Sequence, residues 1–261
     1  MAEHNELYRN AMYYDIALQR DVSPDVEFLC DACRHYAGAA PHSVLDIACG
    51  PGYHAREFAR RGITAWGLDL RPEMVQFATD QAAAEGVQVH WLAADMRSFQ
   101  LEAPVDLAIC MFDGLDALTA TEDILRHFQT VAANLTPGGL YILEFSHPHR
   151  VSLVSYGPFH YHGERGGVTV DITWATNNPV HDLVTGVAYV EIRIEVDEHG
   201  EKKIIPDSAT ERIFTPQELT LLAALSGVFD VVGWHGDFNL AQPLDHTAAS
   251  QRMVLVMRKV G

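Results

Sequence analysis

Val44-Leu45-Asp46-Ile47-Ala48-Cys49-Gly50-Pro51-Gly52, followed at once by Tyr53-His54-Ala55-Arg56-Glu57-Phe58, decides how this sequence is read. An apolar run ends in small residues and an amphipathic run begins, the signature of a strand that turns tightly into a helix. Gly or Ala at positions 48, 50 and 52 lets a ligand lie against bare backbone. The helix turns its unpaired N–H groups and positive dipole end back toward that loop, a setting that suits a carboxylate.

Outward from this loop the same rhythm repeats. Ser43–Ile47, 63–68, 87–92, 105–111 and 140–145 read as strands, and 53–61, Pro72–Glu85 and 122–135 as helices. Gly86 and Pro137-Gly138-Gly139 act as stops. Short β-α-β connections predict an α/β fold, a Rossmann-like, doubly wound, mostly parallel seven-stranded sheet. Residues 5–20 read as a helical lead-in, and Ser23 and Pro24 as the N-cap and first residue of a further helix. Residues 146–167 show no clear period. Val168, Val170, Ile172 and Trp174 then alternate with polar residues, as do Val190, Ile192, Ile194 and Val196, and a third run leads to Phe214. This predicts an antiparallel β insertion after strand 5. Thr215 caps a last helix, and 229–234 and 253–257 supply final strands. The expected division is an N-terminal helical cap (1–40), a ligand-binding core (41–148), the insertion as lid or oligomer interface (149–214), and elements completing the core sheet (215–261).

Three carboxylates follow three successive strands: Asp46, Asp69 in Gly67-Leu68-Asp69, and Asp95 in Ala93-Ala94-Asp95-Met96. The loop alone also fits a dinucleotide, since Gly50-Pro51-Gly52-Tyr53-His54-Ala55 is G-x-G-x-x-A and Asp69 lies 19 residues past Gly50. Pro51, however, removes an N–H where a pyrophosphate wants donors, and Asp46 would repel it. The same groups suit S-adenosylmethionine (SAM). Asp46 attracts its ammonium, Asp69 accepts from the ribose hydroxyls, and Asp95 accepts from the adenine amine. Leu70, Met74 and Met96 cover the base.

In this order the sequence resembles the class I SAM-dependent methyltransferase family over roughly residues 43–145. The resemblance implies a SAM-dependent methyltransferase with cofactor contacts at Asp46, Ala48, Gly50, Gly52, Asp69, Leu70, Asp95 and Met96; Cys49, Met74 and Met111 complete the expected set. Tyr13-Tyr14-Asp15 resembles the aromatic-acid segment that covers the cofactor in small-molecule relatives, which places Tyr14 against both cofactor and acceptor. Arg71 departs from the helix-capping Ser that relatives often carry. The order of core, β insertion and late helix resembles the branch that methylates amines of sugars, amino acids and other metabolites.

A sulfonium methyl needs no activation by protein, so the chain's task is to hold an acceptor lone pair in line and, for some acceptors, to remove a proton. The fourth and fifth strands end in Met111-Phe112-Asp113-Gly114 and Ser146-His147-Pro148-His149. His147 and His149 are the expected base and acceptor contacts, joined by Tyr14, Asp113 and Arg212. Neither the histidines at 147, 149, 160 and 162 nor the isolated Cys30-Asp31-Ala32-Cys33 forms a metal-ligand set at a telling spacing, so no metal is expected.

The chain carries 35 acidic and 18 basic side chains, a net charge of −17, which opposes nucleic acid and anionic membranes. No stretch reaches the roughly 18 to 20 apolar residues of a membrane span, and the first residues lack the pattern of a signal peptide, so a cytoplasmic location is the expectation. The expected partner is a small-molecule methyl acceptor, with no nucleic acid and no membrane, and a homodimer is compatible with the insertion. A protein or RNA acceptor, or a non-catalytic SAM-binding partner subunit, is the alternative, and a dinucleotide oxidoreductase ranks last.

Overall fold

The computed structural model describes residues 6–147 and 156–261. Helices α1 (Glu6–Arg9), α2 (Ala11–Leu18) and α3 (Ser23–Ala37) come first. The core follows as β1 (Ser43–Ile47), α4 (Tyr53–Arg60), β2 (Thr64–Asp69), α5 (Pro72–Glu85), β3 (His90–Ala93), β4 (Val105–Cys110), a single 3-10 turn (Gly114–Ala117), α6 (Thr121–Ala133) and β5 (Leu135–Ser146). Next come β6 (Phe159–Arg165), β7 (Val168–Trp174), β8 (Val187–Glu198) and β9 (Glu201–Arg212), and then α7 (Pro216–Ser226), β10 (Phe229–His235) and β11 (Arg252–Lys259).

The large sheet has the order β10-β11-β5-β4-β1-β2-β3, parallel except where β11 pairs antiparallel with both β5 and β10. β1 has β2 on one side and β4 on the other, so the chain reverses its winding there and the loops after β1 and β4 part to leave a crevice. Val44, Leu45 and Ile47 of β1 and Leu107, Ala108 and Ile109 of β4 are fully buried, as central parallel strands covered on both faces must be. One face packs on α3 and α4 through Phe28, Leu29 and Phe58; the other packs on α6 and α7 through Phe128, Val131 and Leu219.

The second sheet, β6-β7-β8-β9, is wholly antiparallel. Val190, Ile192, Ile194 and Val196 are buried while the residues between them are exposed, the alternation read in the sequence. The buried face is closed by Leu7, Tyr13 and Ile16 from the first two helices. Two devices hold them there. Asp207 of β9 accepts from the Leu7 N–H at 2.8 Å. A Cβ at Gly163 of β6 would collide with the Ile16 carbonyl, so only glycine lets α2 lie this close.

Three local expectations change. β6 escaped the sequence reading because it is an edge strand in which no residue is fully buried, so its hydrophobic alternation is weak. β5 begins at Leu135, which pairs with Val105, so Pro137-Gly138-Gly139 lies within the strand at a break in register. The N-cap of α3 is Val22: Asp21 takes the Ser23 N–H at 2.8 Å, which draws Ser23 and Pro24 into the first turn. Thr215 does cap α7, accepting from the Glu218 N–H at 3.1 Å. Among the described residues, no helix is long and apolar enough to cross a membrane.

Candidate functional site

The loop after β1 works as a tight turn: Ala48, Gly50 and Gly52 all have positive φ (54°, 51° and 75°). Asp46 is buried beneath it and accepts from the Ala55 N–H in the first turn of α4 at 3.2 Å, so this acid fixes the helix to the strand. Burial pushes its carboxyl up to about 6, against the pull of His54 and that amide. Asp69, at the end of β2, accepts from Gly50 N–H and Arg71 N–H, both at 2.9 Å. A carboxylate offers about four lone-pair sites, so two backbone donors leave capacity for a ligand diol. Burial raises the Asp69 carboxyl as well.

This loop forms one end of a cavity of about 780 Å³. Of the expected cofactor residues, Tyr14, Asp46, Ala48, Cys49, Gly50, Asp69, Leu70, Asp95, Met96 and Met111 line it. A Cβ on Gly50 would meet nothing within 4 Å, so the loop backbone faces open space there. Asp95 is already engaged: Arg97 grips both its oxygens (3.0 and 2.6 Å), ties it to Asp123 of α6 (2.8 Å) and holds its carboxyl below the usual range. The next residue is positioned from behind by buried His127 of α6. Its Nδ1 lies 2.8 Å from the Met96 carbonyl and its Nε2 lies 2.7 Å from the Tyr141 hydroxyl. A carbonyl only accepts, so Nδ1 carries the proton and Nε2 accepts from Tyr141. Burial pushes this imidazole down to about 4.

Several sequence expectations are corrected. Gly52 is absent from the cavity lining; its side-chain position is filled by the Trp91 indole of β3, so glycine is needed there for helix–sheet packing. Met74 is fully buried in α5 and does not reach the cavity. His147 is also buried off the cavity, and its Nε2 donates to the Asp245 carbonyl at 2.9 Å. His149 lies outside the described residues. Arg212 faces away from the cavity, holding the Thr119 carbonyl (3.1 Å) and Glu218 (2.6 Å), because successive side chains of a strand point to opposite faces and its neighbour Glu211 points inward. Asp113 lines the cavity, but it also binds the Ser146 N–H (2.5 Å) and hydroxyl (3.0 Å) and meets Arg252 at 3.4 Å. No group of three or more His, Cys, Asp or Glu among the described residues could hold a metal.

The far end of the cavity lies under the second sheet. Tyr161, Trp174 and Glu211 reach it from that sheet, Tyr156 precedes it, Tyr8 comes from α1, and Asp116 sits on the 3-10 turn. Tyr156 O–H donates to Glu211. Burial pushes Glu211 up to about 7, with Asp113 adding to the rise. Asp116 is raised well above the carboxylate range, first by burial and then by Asp113 and Glu211; its Oδ1 is buried without a hydrogen-bond partner. The sequence reading missed these two acids. Neither β9, whose sequence and burial do not alternate, nor the turn after β4 carried a periodic signal for them.

Residues 44–139 match the family model described as a methyltransferase domain. Over these residues the chain is similar to a methyltransferase domain. Among relatives, it is 31% identical over 163 residues to the dTDP-3-amino-3,6-dideoxy-alpha-D-glucopyranose N,N-dimethyltransferase of Streptomyces fradiae, covering 59% of this chain and 60% of that protein. It is 27% identical over 142 residues to the dTDP-3-amino-3,4,6-trideoxy-alpha-D-glucopyranose N,N-dimethyltransferase of Streptomyces venezuelae, covering 54% and 56%. The chain thus spans less than two thirds of the length of these relatives. The fold of the chain resembles that of an S-adenosylmethionine-dependent methyltransferase from Clostridium acetobutylicum (TM-score 0.77, 17% identity, 96% and 98% of the two chains). It also resembles Streptomyces venezuelae DesVI (TM-score 0.74, 21% identity, 100% and 99%).

Proposed function

We propose that this chain is a SAM-dependent methyltransferase that methylates a nitrogen of a small metabolite. One observation carries the reading: the side-chain-poor loop after β1, with Asp46 and Asp69 around it, opens into the same cavity that continues beneath the second sheet. The residues present fit SAM. Gly50 leaves room for its methionine end, Asp46 supplies negative charge for an ammonium, and Asp69 retains acceptor capacity for a ribose. Leu70, Met96 and Met111 supply apolar cavity wall. Bound there, SAM would offer a methyl carbon that an acceptor lone pair takes as the carbon–sulfur bond breaks.

The chain's own residues supply enclosure. α1 and α2 run over the cavity with Tyr8 and Tyr14 on its wall, and the Tyr14 phenol is pushed up by burial beside Tyr161. Tyr53 O–H reaches the buried Asp15 at 2.8 Å and Arg165 of β6 pairs with the same acid at 2.6 Å, so lid helix, core and second sheet are tied at one point. Burial on this scale accommodates a metabolite. The likeness to aminosugar N,N-dimethyltransferases supports nitrogen as the acceptor atom. The acidic balance and a cavity walled by carboxylates count against RNA.

Calorimetric titration of the purified chain with SAM, S-adenosylhomocysteine and NAD tests the reading. The first two bind and NAD does not. Asp69→Ala weakens SAM by about 10- to 100-fold, the range for losing charge-assisted hydrogen bonds. NAD binding with silence toward SAM would overturn the proposal.

A further inference from the structure

The acceptor end of the cavity has an unusual charge balance. Asp113, Asp116 and Glu211 all line it. Asp113 has Arg252 and Ser146 as partners, but Arg252 is also committed to Glu144 of β5. Asp116 keeps an oxygen buried with no partner, and Glu211 has as its donors the neutral Tyr156 hydroxyl and the Trp174 indole. Two part-buried carboxylates without a cation between them are costly, and a cation in the adjoining space relieves that cost. The walls around them are aromatic: Tyr8, Tyr156, Phe159, Tyr161 and Trp174. Aromatic faces attract an alkylammonium through their quadrupoles.

Three of the four arginines on the cavity wall are already held. Arg20 binds Asp25 (2.5 Å), Arg97 binds Asp95 and Asp123, and Arg252 is shared by Glu144 and Asp113. Arg71 adjoins Asp69 at the loop end of the cavity. Among the described residues, the carboxylates Asp113, Asp116 and Glu211 thus dominate the charge of the acceptor end, which favours a cationic ligand there.

Resting on the methyltransferase reading, we propose that the acceptor is a free alicyclic or alkyl amine that enters as its ammonium, is held by Asp116 and Glu211, and gives its proton to Glu211. The proton leaves the N–H bond for a Glu211 oxygen, the ammonium becomes a neutral amine with its lone pair free, and the carboxylate becomes a carboxylic acid, so charge and atoms balance. Glu211 suits this task because its ordinary range is pushed up toward neutrality. Among the described residues, the groups that face it are Tyr8 of α1, Asp113 and Asp116 after β4, Tyr156, and Trp174 of β7; Arg212 on its own strand points away.

The test uses the full chain saturated with S-adenosylhomocysteine and three ring-sized probes titrated by calorimetry: cyclohexylamine, cyclohexanol and cyclohexyl phosphate. The amine binds roughly tenfold or more tighter than the alcohol at pH 8, since a charged donor makes the stronger hydrogen bond, and the phosphate does not bind. Asp116→Asn and Glu211→Gln each remove most of that preference while leaving S-adenosylhomocysteine affinity within about twofold, and Glu211→Asp restores part of it. The amine's advantage falls as pH drops through about 7, as expected for a Glu211 that must be ionised. Equal binding of amine and alcohol, tighter binding of the phosphate, or silence toward the amine overturns the proposal. Failure to bind S-adenosylhomocysteine instead overturns the methyltransferase reading on which it rests.

Discussion

Replacing His127 by Phe tests how the cofactor side of the cavity is built. The imidazole is fully buried between the Met96 carbonyl and the Tyr141 hydroxyl, and a phenyl ring of similar size fills its place. Both partners then lose their hydrogen bonds inside the core. Each orphaned buried group costs about 1–3 kcal/mol, so His127→Phe should lose about 2–6 kcal/mol of unfolding free energy at pH 8. The pH dependence provides a sharper signature. The folded imidazole titrates near 4, below its ordinary 6.5, so the unfolded chain binds the extra proton and wild-type stability falls as pH drops below 6.5. At pH 5.5 an unfolded imidazole at 6.5 is about ten-elevenths protonated and the folded one almost neutral. The difference is RT ln 11, about 1.4 kcal/mol. The Phe variant has no such liability, so its deficit relative to wild type should shrink by about 1.4 kcal/mol between pH 8 and pH 5.5. Urea unfolding at the two pH values, followed by tryptophan fluorescence, measures both quantities. A deficit that stays constant or grows toward pH 5.5 would refute the buried neutral imidazole, and a deficit below about 0.5 kcal/mol would refute the two hydrogen bonds.

Gly52→Ala places a methyl group into the Trp91 indole at a left-handed backbone position. The melting temperature should fall by about 5–10 °C, with Trp91→Leu recovering only the steric share, because the backbone strain of about 1–2 kcal/mol stays; an unchanged melting curve would remove the packing argument. His147→Ala should leave turnover within about twofold and lower stability by about 1 kcal/mol or more, because the imidazole is buried off the cavity and donates to the Asp245 carbonyl. A turnover drop beyond tenfold would return it to the reaction.

The sequence by itself determined the large sheet and the loop that anchors the site. Both are local: small residues at 48, 50 and 52 dictate the turn, and each acid lies at or just beyond the end of the strand that carries it. Apolar periodicity also sufficed for β7 and β8, where one face is buried and the other exposed. Only tertiary structure decided what each polar side chain faces. Arg212 and Glu211 are neighbours, yet the pleat of β9 sends one to Glu218 and the other into the cavity. His147 ends the strand expected to deliver a base, but the segment after β10 claims it through Asp245, 98 residues away. Asp116 stands in a turn with no periodic signal, and it becomes part of the site because Glu211, 95 residues further on, is folded over it. Strand and turn propensities act over a few residues and can be read from order alone. A buried charge gets its meaning from distant groups that enclose it, and no local pattern encodes which groups those are.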